Sequence, residues 1–252
     1  MKIRVKIAQT DVTDNLSTNL SHICKIIDAC NENDIVIFPE GALSGYDPEN
    51  EDFLDILNSN DINTAINTIH QYIQKKNCSC LFGTAILVDK KWYNSSVYLS
   101  SIGTKEIYYK TNLSYYDKHH FNSGNELSTY NFSGLQIGIQ MCREILFPEQ
   151  WKVLKKKRAS IIFHLNNALK PSDERWRHML ITRAIENQVF VCSVNNGTSS
   201  QTLPSFLISP FGEILLESST GEAQTVEAQI DTEQVTDYYL KQERQDLVKL
   251  KY

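Results

Sequence analysis

The chain has 252 residues, 41% of them hydrophobic, which is enough to bury a sizeable core as one α/β domain. Its 25 basic and 30 acidic residues leave a net charge of -5, so nothing draws it to phosphate backbones or anionic lipid, and neither nucleic acid nor membrane is an expected partner. The start "MKIRVKIAQT" breaks its apolar residues with Lys2, Arg4 and Lys6, and no later run reaches transmembrane length, so a cytoplasmic location is expected. Residues 2–8 alternate charged and apolar side chains and predict a strand with one buried face. In "NLSTNLSHICKIIDAC", Leu16, Leu20, Ile23, Ile27 and Cys30 form one helical stripe that should pack on a sheet. "DIVIFPE" predicts a short buried strand broken by Pro39, and "DINTAINTIHQYI" returns to helical spacing through Ile62, Ile66, Ile69 and Ile73. Further strands are expected at 80–88, 95–99, 106–109, 135–141, 161–164 and 189–194, with short ones near Phe206 and Ile214. Helices fit 148–157 and 172–187.

Helices interleaved with strands, without a linker or a solenoid repeat, predict a single layered α/β domain over 1–252. The six cysteines are expected to be thiols, because a chain this rich in core residues needs no disulfide scaffold. Cys78 and Cys80, in "NCSCLF", lack a second ligand pair at zinc spacing and read as strand positions. The sequons in "KTNLS", "YNSSV" and "NNGTS" carry no meaning without secretion. "KVLKKKR" closes a helix, where cations suit the negative end of the dipole, and is expected to be a solvated face.

The dinucleotide, Walker A and zinc-protease motifs are all missing from the sequence. What remains is a set of polar strand ends: Glu40, Lys110, Cys142, Asn166 and Asn167. Ligands of open α/β folds bind beyond the carboxyl ends of strands, so these residues can converge on one site. Each alone has an ordinary structural reading. Together they offer a nucleophile, a base for its proton and a cation for the oxyanion, the three roles of thiol-based acyl transfer.

"IVIFPEGALSGY", "YYKTNLSYYDKHHFNSG" and "MCREILFPEQW" resemble, in order and spacing, the signatures of the nitrilase superfamily of carbon-nitrogen hydrolases. "VKIAQTDV", "YNSSVYLS", "RAIENQVFV" and "LISPFGEIL" extend the resemblance over nearly the whole chain. The resemblance implies an α-β-β-α sandwich that dimerises or assembles further. It makes Cys142 the nucleophile, Glu40 the general base and Lys110 the oxyanion-stabilising cation, assisted by the peptide N–H of Arg143. The family's second glutamate, in E-x-x-x-F-x-x-G, is replaced by Asp117 in "DKHHFNSG", one methylene shorter. A cysteine at a strand-to-helix turn beside a cation is expected to favour thiolate over thiol. The side chains of Arg143 and Glu144 read as turn-fixing, and His119 and His120 as exposed or on the pocket rim. His164, Asn166 and Asn167 are the expected substrate contacts.

The implied activity is hydrolysis of a small amide through a thioester, with no metal or cofactor. The alternatives are an acyltransferase using the same thioester and a non-catalytic binding or scaffolding protein.

Overall fold

The computed structural model describes residues 1–168, 173–244 and 246. β1 (Lys2–Gln9) leads through α1 (Leu16–Asp28) to β2 (Ile35–Ile37), and α2 (Ser59–Lys76) leads to β3 (Ser79–Val88), β4 (Lys91–Ser100) and β5 (Lys105–Tyr109). A short helix, α3 (Asp117–His120), precedes β6 (Thr129–Phe132) and β7 (Leu135–Met141). Then follow α4 (Pro148–Lys156), β8 (Ala159–Leu165), α5 (Asp173–Asn187) and β9 (Phe190–Val194). β10 (Phe206–Ile208), β11 (Ile214–Glu217) and β12 (Gln224–Asp231) come last.

The strands form two six-stranded sheets, ordered β12-β1-β2-β3-β4-β5 and β11-β10-β9-β8-β7-β6. Parallel pairing joins β1 to β2 and β2 to β3 in one sheet, and β7 to β8 and β8 to β9 in the other. Between the sheets lies a core that includes Val5, Ile7, Ile35, Ile37, Met141, Phe163 and Leu165. Outside the first sheet, α1 and α2 bury Ile23, Ile27, Ile62, Ile66, Ile69 and Ile73, the stripes read from the sequence. Each buried isoleucine contributes roughly 2 kcal/mol of transfer free energy, so tertiary burial holds these helices down. Their starts are fixed by Asn15 and Asn58, whose side chains accept N–H groups of the first turn. Outside the second sheet, Trp151, Leu154, Leu180 and Ala184 cover Ile162 and Val191. The architecture is therefore the expected α-β-β-α sandwich.

Several expectations change. β12 was not expected, yet it pairs with β1 along its full length. β6 is also new, and β4 begins at Lys91, so that Asn94 lies inside it. Ser172 of the expected 172–187 helix lies outside the described residues. "KVLKKKR" is not a solvated face: Lys155 is buried against Asp237 at 2.8 Å, Lys156 pairs with Glu243 at 2.9 Å, and Lys157 donates to the carbonyl of Leu127 at 2.6 Å. The run anchors the segment after β12, whose acidic residues were too distant in sequence to be matched to it. Among the described residues no helix is long and apolar enough to cross a membrane.

Candidate active site

The polar residues meet beyond the carboxyl ends of strands from both sheets. Beyond β2 the chain turns at Pro39, whose carbonyl accepts the N–H of Gly83 in β3 at 3.1 Å. A Cβ on Gly83 would stand 2.6 Å from the Cα of Glu40, so only glycine lets the turn lie this close. The Glu40 N–H then reaches the carbonyl of Asn166 at 3.3 Å, joining the sheets at the site. Lys110 follows β5 and donates its N–H to the carbonyl of Asn94 at 2.9 Å. Asp117 opens α3, where its carboxylate accepts the N–H of Ser114 at 3.0 Å and its own N–H donates to the Ser114 hydroxyl at 3.1 Å. Cys142 follows β7 at φ 42°, in the left-handed region that a side chain adopts at some cost.

Glu40, Lys110 and Asp117 are all fully buried. Lys110 Nζ lies 2.7 Å from Glu40 Oε1 and 2.8 Å from Asp117 Oδ2. The Tyr46 hydroxyl donates to Asp117 Oδ1 at 2.6 Å, and Asn94 Nδ2 donates to Glu40 Oε1 at 2.8 Å. Among the described residues, the buried Glu40 Oε2 has no hydrogen-bond partner. One cation thus faces two carboxylates, and they divide its influence unequally. Burial opposes ionisation of Asp117, but Lys110, with donors from Tyr46 and Ser114, brings its pKa down to about 2. Burial raises the pKa of Glu40, Lys110 opposes the rise, and the charge on Asp117 adds to it. Burial also works against the Lys110 ammonium, yet the charges of Glu40 and Asp117 keep its pKa raised.

The expectation of a preformed thiolate is overturned. Burial, followed by the negative charge of Glu40, raises the pKa of the Cys142 thiol, and Lys110 only partly offsets them. Cys142 is therefore a neutral thiol at rest, beside a carboxylate with raised proton affinity.

The expected substrate contacts separate. His164 has Nε2 2.9 Å from the carbonyl of Cys142 and Nδ1 2.9 Å from the Ser193 hydroxyl. A carbonyl only accepts, so Nε2 carries the proton and Nδ1 accepts from Ser193. Both ring nitrogens are used by the protein, and His164 faces the backbone of Cys142 in place of a substrate. Asn167 accepts Gln201 Nε2 at 2.6 Å through its side chain, and its backbone lowers the proton affinity of the Cys142 thiol. Asn166 is fully buried, and among the described residues neither of its side-chain polar atoms has a partner.

Arg143 is exposed, whereas Glu144 is buried and fixes the turn. Its carboxylate accepts the Met141 N–H at 2.8 Å, the Thr111 N–H at 2.8 Å, the Asn112 N–H at 3.0 Å and the Tyr108 hydroxyl at 2.8 Å. That set ties the segment after Lys110 to the turn at Cys142. His120 hydrogen-bonds the carbonyl of Pro48 at 3.1 Å, and His119 packs on Tyr115.

Tyr46 and Asn94 were missed as site residues. Both stood within the quoted stretches "IVIFPEGALSGY" and "YNSSVYLS", but a tyrosine and an asparagine signal no acid, base or nucleophile by type.

The family model for carbon-nitrogen hydrolases matches residues 4–239. An (R)-stereoselective amidase of Pseudomonas sp. is 29% identical over 239 residues, covering 90% of this chain and 85% of its own. A 2-oxoglutaramate amidase of Bacillus subtilis is 29% identical over 210 residues, covering 80% of this chain and 79% of its own. Among solved structures, a carbon-nitrogen hydrolase of Helicobacter pylori superposes with a TM-score of 0.84 at 17% identity, covering 98% of this chain and 97% of its own. At that identity the superposition speaks for the fold alone.

Proposed function

This chain belongs to the carbon-nitrogen hydrolase family, and we propose that it hydrolyses the amide bond of a small linear molecule through a thioester on Cys142. The observation that carries the reading is the buried Glu40–Lys110–Asp117 ion-pair chain, whose charges act on the Cys142 thiol. The relatives named as amidases support an amide substrate.

The sulfur attacks the amide carbonyl as Glu40 takes the thiol proton. Negative charge then gathers on the former carbonyl oxygen, where the Lys110 ammonium and the Arg143 peptide N–H stabilise it. Glu40 passes the proton to the nitrogen, the C–N bond breaks, and ammonia or an amine leaves. A water then gives a proton to Glu40 as its oxygen attacks the thioester. The C–S bond breaks, the sulfur recovers the proton, and a carboxylic acid departs. A carboxylate of raised proton affinity suits this shuttle, because it accepts and returns the proton at little cost. Asp117 keeps Lys110 charged throughout, and the carboxamide of Asn166, unpaired among the described residues, is the substrate contact this reading favours.

The reading includes one hydrolase domain over 1–252, a cytoplasmic location and a homodimer or larger homo-oligomer. Exposed Ile185, Phe211 and Leu215 support self-association.

The test is ammonia release from ω-amides, N-carbamoyl compounds, aliphatic amides and nitriles, with Cys142→Ala as control. At least one amide should turn over, the variant should be folded and inactive, and mass spectrometry should find the acyl adduct on the Cys142 peptide. Turnover retained by the variant would remove the mechanism.

A further inference from the structure

Asn94 touches all three charged residues of the site. It lies inside β4, opposite Ala85 of β3, and is 2% exposed. Its carbonyl accepts the Lys110 N–H at 2.9 Å. Its Nδ2 donates to Glu40 Oε1 at 2.8 Å and lies 3.4 Å from Asp117 Oδ1. Ionised carboxylate oxygens only accept, so these two neighbours fix the amide with its NH2 group toward the charges.

Lys110 Nζ reaches the same oxygen, Glu40 Oε1, at 2.7 Å, while the buried Oε2 has no partner among the described residues. An oxygen holding two donors, one of them charged, is the less basic of the pair. A single donor would not keep the two oxygens distinct, because the last torsion of a glutamate is broad and roughly two-fold. The second donor, coming from a different strand, fixes the plane of the carboxylate.

We propose that Asn94 is a positioning residue that selects the reacting oxygen of Glu40: by holding Oε1 together with Lys110, it leaves Oε2 to move the proton between Cys142 and the leaving nitrogen. The inference rests on Glu40 being the general base. The groups that face Glu40 are Lys110, Asp117, Tyr46 and Cys142, besides Asn94 itself. Of these, Lys110 and Asn94 lower the proton affinity of Glu40 against its burial, and Asp117 raises it. Removing Asn94 therefore makes Glu40 hold a proton to higher pH, and the unprotonated base is available only above that point.

Asn94→Ala and Asn94→Ser, the latter too short to reach Glu40, test this with two readouts: kcat/KM against pH, and the rate of Cys142 alkylation by iodoacetamide against pH. In both variants the acid limb should move up by about one pH unit, the effect of losing one hydrogen bond to a charged group. kcat should fall at least about tenfold with KM within about twofold, as expected when an interaction outside ground-state binding is lost. Tyr46→Phe removes a donor from Asp117 and not from Glu40, so it should lower kcat and leave the limb in place. Folded Asn94 variants with an unmoved limb, or a Tyr46→Phe limb that moves equally, would overturn the proposal. If the native protein turns over no amide, the proposed function fails, while the alkylation profile still decides the role of Asn94.

Discussion

Asp117 is the residue where the chain leaves the pattern it resembles, and the structure shows how the shorter side chain still reaches. Its carboxylate lies 2.8 Å from Lys110 Nζ because α3 begins at Asp117 itself, anchored by Ser114 on one side and Tyr46 on the other. With no exposed surface and four donors around it, the site is built to the length of an aspartate. Asp117→Asn should lower kcat by at least about a hundredfold, because it removes the charge that keeps Lys110 an ammonium. Asp117→Glu should lower kcat too, since an added methylene has no room without displacing Lys110 or Tyr46. Steady-state kinetics of both variants decides this. A glutamate variant much faster than the native protein would mean that the aspartate marks a decayed site. The resting state of Cys142 could not be read in the same way. The strand-to-turn position is local and was legible, whereas the proton affinity of its thiol depends on burial and on carboxylates brought from distant segments.

At the scale of elements, the legible parts were those whose apolar spacing is strong enough to declare itself. The isoleucine stripes of α1 and α2 predicted both the helices and the faces they bury. β12 escaped because "QTVEAQID" offers only Val226, Ala228 and Ile230 on one face, and it earns its place by pairing with β1. The close fit of the Pro39 turn on β3 was equally hidden, because a glycine in a strand does not say what approaches it. Gly83→Ala tests that fit. The new Cβ would stand 2.5 Å from the Gly41 nitrogen, 2.6 Å from the Glu40 Cα and 2.7 Å from the Pro39 carbonyl oxygen, and all three are backbone. The turn must therefore move and take Glu40 with it. The expected outcome is a stability loss of about 1–3 kcal/mol by urea melting, with kcat at least about tenfold lower. Gly103→Ala is the contrast: a Cβ there meets nothing within 4 Å, so the strain of φ +92° should cost stability and leave kcat unchanged. Equal kcat losses in the two variants would mean that the Gly83 contact does not position Glu40.

Across the whole molecule, the site's scaffold should give the folded state a particular response to acid. His164 sits between Trp151 and Trp176, with ring centroids 5.8 and 6.1 Å away, and clamps the carbonyl of Cys142 to Ser193 of β9. Burial lowers its pKa from 6.5 to about 4. Between those values the unfolded chain binds a proton that the folded chain refuses, so stability is full above about pH 6.5 and falls as the pH drops towards 4. The shift corresponds to about 3 kcal/mol at one fully buried site. Glu40 works in the opposite sense, since its raised pKa lets the folded chain take up a proton earlier, and it offsets part of the loss. Asp117 adds its own loss only further down, between its ordinary 3.8 and about 2. His164→Gln keeps a donor for the Cys142 carbonyl but has nothing to titrate. It should be less stable than the native protein at pH 7, with a visibly flatter dependence of unfolding free energy on pH from 6.5 to 4, read by urea melts across that range. Parallel curves for the two proteins would show that His164 is not the group that couples folding to acid, and that the clamp beneath Cys142 survives protonation.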